Sequence, residues 1–67
     1  MVQGAFMSFN TWLSTFNATK SMQAKIVLLS YLDRGKVTSV HFVNKSHPYH
    51  DNINSILKRV YALRVQH

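Results

Sequence analysis

The chain has 67 residues, 46% of them apolar, and eight Lys and Arg against two acids give it a formal net charge of +6. A chain of that length makes one domain and buries only about 60% of the surface its unfolded form exposes, so its core is marginal. There is no cysteine, which excludes disulfides and thiolate metal sites as reinforcement and makes a dimer an economical way to bury more area.

The positive charge is one-sided. Lys20 and Lys25 against Asp33 leave residues 1–33 at +1, whereas Arg34, Lys36, Lys45, Lys58, Arg59 and Arg64 against Asp51 leave residues 34–67 at +5. A field of that sign favours a polyanionic partner and speeds encounter with it. No apolar run approaches the ~20 residues of a membrane span, and the N-terminus lacks the basic region and long apolar core of a signal peptide. The expectation is a soluble, cytoplasmic protein with no membrane partner.

Residues 1–19 carry no charged side chain. Phe6, Phe9, Trp12, Leu13 and Phe16 share one helical face, with Ser8, Thr11, Ser14 and Thr15 opposite, which predicts a first helix over about Phe6 to Phe16. The poor helix formers Asn17-Ala18-Thr19 close it. The aromatic stripe has two compatible roles. It packs as core, or Phe6, Phe9, Trp12 and Phe16 join a second copy or another protein, as aromatic anchors with little charge do at interface cores.

Thr19 or Ser21 caps a second helix, over about Ser21 to Asp33. Its apolar residues Met22, Ala24, Ile26, Val27, Leu28, Leu29, Tyr31 and Leu32 nearly encircle the axis, which predicts a central element buried on more than one side. Arg34 suits the negative helix end, and Gly35 is a natural left-handed cap. In the next stretch, KVTSVHFVNKS, Val37, Thr38, Val40, Phe42 and Val43 have the residue types of a strand. A lone strand leaves its backbone groups unpaired, however. A short helix capped by Thr38 or Ser39, with Phe42 turned to the core, is the expectation. Pro48 then bars helix through His47.

The last helix, Asp51 to Arg64, organises the rest. Ile53, Ile56, Leu57, Val60 and Leu63 follow the rhythm of one buried face. Asn52, Asn54, Ser55, Lys58 and Arg59 lie opposite, and side chains of these kinds hydrogen-bond base edges and phosphates. Asp51 or Asn52 serves as the N-cap. The plainer reading is that Lys58 and Arg59 are a solvated face, while Asn52 and Asn54 serve the cap and the loop.

This order of elements resembles the helix-turn-helix DNA-binding superfamily, above all the small modules common in phages and mobile elements. The matching positions are Ile26, Leu29 and Leu32 on the scaffold helix, Gly35 at its end, Val37-Thr38-Ser39 opening the next, and Ile56, Leu57, Val60, Leu63 and Arg64 in the last. Residues 44–52 are longer than the usual turn, and the chain runs to His67 with no β-hairpin wing. The resemblance implies that the last helix enters the major groove of double-stranded DNA. Asn52, Asn54 and Ser55 would read bases there. Lys45, Ser46, Lys58 and Arg59, with Arg34 and Lys36 at the domain edge, would meet the backbone.

Other chemistries are less well supplied. His47, His50 and Asp51, with His41 or His67, have loose metal-ligand spacing off any helix, so no metal or other cofactor is expected. Asp33 and Asp51 are the only carboxylate side chains, no Ser sits in a nucleophile elbow, and Gly4 and Gly35 make no phosphate loop. An enzyme is not expected. The fold expected is mostly α, a bundle of three to four helices, helix-turn-helix-like without a wing. Residues 1–20 form the aromatic helix and 21–67 the rest, and an α+β fold with a strand at 37–43 is the alternative. The function expected is sequence-selective DNA binding by a regulator, with a homodimer through the first helix. The rival is a small inhibitor or adaptor docked on a host protein through the same aromatic helix.

Overall fold

The computed structural model describes residues 7–65. Among them are three helices, α1 (Phe9–Ala18), α2 (Met22–Asp33) and α3 (His50–Val65). Two short strands, β1 (Met7–Ser8) and β2 (Val37–Thr38), pair in parallel, with Met7 opposite Val37 and Ser8 opposite Thr38. The fold is mostly α, as the sequence indicates.

Each helix boundary has a local cause. Ser8 is extended, and its Oγ accepts from the Thr11 N–H at 3.3 Å, so α1 starts at Phe9, later than the periodicity suggests. The Met7 N–H donates to the Lys36 carbonyl at 3.0 Å, which draws this end of the chain into the ladder instead of the helix. Phe6 lies outside the described residues. Ser21 caps α2 by accepting from the Ala24 N–H at 3.4 Å. At the other end the Lys36 N–H reaches the Tyr31 carbonyl at 3.0 Å and the Gly35 N–H reaches Leu32 at 3.2 Å. This paired closure needs a left-handed residue, and Gly35 supplies it with φ of +74°.

Two expectations are corrected. No helix forms over residues 37–43. Val37 and Thr38 are strand, Ser39 takes φ of +55°, and the chain runs without regular structure to Asn44. The partner that a strand here needs is the two-residue β1, inside the stretch read as helix. The second correction concerns α2, which buries only Leu28 and Leu32, leaving Met22, Ile26, Val27 and Tyr31 between 42% and 60% exposed. It packs on α1 and α3 along one side, and no described element covers the other.

The core lies where the three helices and β2 meet. Phe9, Trp12 and Phe16 of α1 stack in a column, with ring centroids 5.7 and 5.2 Å apart. They pack with Leu28, Leu32, Val37, Val40, Ile53 and Leu57. The Trp12 Nε1–H donates to the Leu28 carbonyl at 2.8 Å, so the largest core ring carries no unsatisfied donor. Lys25 lies over the Phe16 ring, its Nζ 4.8 Å from the centroid, and donates to the Phe16 and Thr19 carbonyls at the negative end of α1. This cation is used within the fold.

Candidate nucleic-acid interface

On its inner side α3 buries Ile53, Leu57 and Val60 and half-buries Ile56, which fixes its rotation against α2. Leu63, expected on that side, is 58% exposed beyond the reach of the core. The helix begins at His50, and the Ile53 N–H donates to the Tyr49 carbonyl at 2.9 Å. Asp51 is thus in the first turn and not the cap. Its carboxylate opposes the positive helix end there and accepts from His50 Nδ1 at 2.9 Å.

On its outer side α3 exposes Asn52, Ser55, Lys58 and Arg59, as the sequence predicts. Arg59 donates to the Asp33 carboxylate at 3.1 Å, in a pair whose side chains remain 64% and 50% exposed. Solvent screens such a pair, and an anion can displace it at little cost. Arg34 and Lys36 are exposed just past the same end of α2, and Lys45 and Ser46 are exposed on the turn closed by the His47 N–H on the Asn44 carbonyl at 3.0 Å. Both aspartates have basic neighbours in Arg59 and His50. Among the described residues, Lys45 and Lys58 make no ion pair with a carboxylate of their own chain.

Asn54 does not belong with the base readers. It is 9% exposed, its Oδ1 accepts from the Val43 N–H at 3.0 Å, and its Nδ2 donates to the Val43 carbonyl at 3.1 Å. Both halves of the amide are committed to one residue of the preceding loop. Two turns further along the same flank, the Tyr61 hydroxyl donates to the Val40 carbonyl. The loop is thus fastened to α3 on both sides of Phe42. That ring, expected in the core, is 51% exposed and leans on Tyr61, with centroids 5.2 Å apart and planes 60° apart.

The aromatic stripe does not form an exposed interface either. Phe9, Trp12 and Phe16 are each at most 1% exposed, because a core this small needs its largest rings inside. The histidines are dispersed. His47 accepts the Tyr49 N–H on Nδ1 at 3.0 Å and turns Nε2 to Asn17 at 2.8 Å, so it fastens the loop to α1. His41 packs edge-on against Phe9, and His67 lies outside the described residues. Among the described residues no three His, Asp or Glu side chains gather as metal ligands would.

No protein-family model matches this chain, and no curated protein or solved structure is significantly similar to it.

Sequence reasoning passed over the contact of Phe42 with Tyr61 on α3. A signal for the clamp was present: Asn54 and Tyr61 are seven positions apart, so one flank of α3 turns both toward the same loop.

Proposed function

We propose that this protein binds nucleic acid, DNA in the first place, through the outer side of α3 and the loop before it. The observation that carries the reading is the contrast in charge. Lys45, Lys58 and Arg59 stand in solvent with Arg34 and Lys36 nearby, while the chain's only two acidic side chains sit beside basic groups. Five exposed cations on and beside one helix suit a phosphate backbone better than any neutral partner. Asn52 and Ser55 are the side chains left to contact base edges, since Asn54 is occupied.

The regulator's role drawn from the helix-turn-helix likeness rests on α3 alone, because the short helix expected at 37–43 is absent. The rival adaptor reading, like the dimer expected through the first helix, is less favoured, because three of the four anchor rings, Phe9, Trp12 and Phe16, are core. Among the described residues no helix is long and apolar enough to cross a membrane.

The test is a titration with a random-sequence duplex and a single strand from low to moderate salt. Engagement of about five phosphates gives a log–log slope of roughly −4 to −5 on duplex and a shallower one on single strand. Failure to bind either at low salt would overturn the reading.

A further inference from the structure

We propose that Phe42 is a stacking platform for an unpaired nucleobase, so that the preferred ligand of this face is single-stranded or locally opened nucleic acid. The proposal rests on the nucleic-acid reading and adds to it the kind of strand and the residue that selects it.

Phe42 is held out by construction. Val40 and Val43 on either side turn inward, at 8% exposure and half-buried respectively. Their backbones are tied to α3 by Tyr61 and by Asn54. The loop cannot rotate Phe42 inward without breaking one of those ties, and Tyr61 supports the ring from one side. An apolar ring left half in water lowers stability, yet here its position is enforced. A rigid exposed aromatic costs little entropy when it meets a ligand.

The ring also divides two shallow clefts, of about 310 and 290 Å³, and forms a wall of each. The first is edged by His41, Asn44 and Ser46, and Lys45 stands between the last two in sequence. The second is edged by His50, Asp51, Ser55 and Lys58, with the Asp51 carboxylate paired to His50 Nδ1. Each cleft therefore combines an aromatic wall, hydrogen-bonding side chains and an adjacent cation. Their volumes are near the lower end of the ~300–1,000 Å³ range of small-molecule sites, a scale suited to one planar ring system. A ligand that offers flat rings and regularly spaced anions is a nucleic-acid strand. In an intact duplex the base faces are covered by their neighbours, so only an unpaired base can use Phe42. Stacking of this kind tolerates any base, because each presents a π-face.

The test compares the full chain with its Phe42→Leu and Phe42→Trp variants by fluorescence anisotropy. The probes are an oligothymidylate of about 12 nucleotides and a blunt duplex of equal length, and circular dichroism confirms that each variant is folded. The expected result is that the parent protein binds the single strand, Phe42→Leu weakens this about tenfold, and Phe42→Trp retains it. Duplex binding, where present, changes less than about twofold in both variants, because phosphate contacts carry it. Single-strand binding unchanged in Phe42→Leu, or lost equally in Phe42→Trp, overturns the stacking role while leaving the nucleic-acid reading in place. If only the duplex binds the parent protein, the stacking role also fails alone; if neither probe binds, both fail. Phe42 serving instead as a contact for another protein would appear as the first of these outcomes.

Discussion

The inner side of α3 holds Ile53, Leu57 and Val60 against the core and lends Asn54 to the loop, whereas its outer side leaves Asn52, Ser55, Lys58 and Arg59 in water. The inner residues are fixed by packing and, at Asn54, by two hydrogen bonds to Val43. The outer ones make one screened ion pair, between Arg59 and Asp33. Stability and the proposed anion contacts thereby fall on separate residues of one helix, and mutation can address each alone.

Leu57→Ala should separate the two sides most sharply. Leu57 is fully buried, and removing it costs about 2–5 kcal/mol, a large part of what a domain of this size has, at roughly 0.05–0.15 kcal/mol per residue. Thermal unfolding followed by circular dichroism should show a deep fall in Tm or no folded baseline. An unchanged Tm would mean that the inner side is not the core. Asn54→Ala comes next. It strands the N–H and carbonyl of Val43, at a cost of about 1–3 kcal/mol, and should lower Tm while preserving the sequence preference of the folded fraction. A changed preference with an unchanged Tm would return Asn54 to the base readers.

Gly35→Ala sharpens the contrast from outside α3. Its added methyl meets no atom within 4 Å, but φ of +74° is strained for any side chain, so a loss of about 1–2 kcal/mol is expected from backbone conformation alone. Smallest in stability is Lys58→Ala with Arg59→Ala, within about 1 kcal/mol because the one pair it breaks is solvent-exposed. Its expected effect is on binding.

How legible this was in the sequence depended on how strictly each pattern determined a direction. Ile53, Leu57 and Val60 fall on one stripe, so the rotation of α3 and the exposure of Lys58 and Arg59 followed from spacing. Asn54 was misread because it borders that stripe. At about 100° per residue it stands beside Tyr61 at the edge of the buried side, where an amide can face either water or a loop. On α2 the apolar residues encircle the axis, and periodicity cannot say which of them lacks a neighbour; Ile26 and Leu28 look alike until α1 and α3 are placed. The strand at Val37–Thr38 was hidden because its partner, Met7–Ser8, is too short to carry an alternation of its own. Phe42 turns to the core only in the short helix expected at 37–43, and the ties at Val40 and Val43 show why, without that helix, it stands outside.

Lys58 and Arg59 are proposed to meet phosphate, and this is measured by the salt dependence of DNA affinity for the parent chain and for Lys58→Ala with Arg59→Ala. The parent should give a log–log slope of roughly −4 to −5 on duplex. The double variant, with its Tm nearly unchanged, should bind more weakly on every sequence with a slope shallower by about 2. Equal affinity and equal slope in the two proteins would contradict the claim and place any anion contact elsewhere on the molecule.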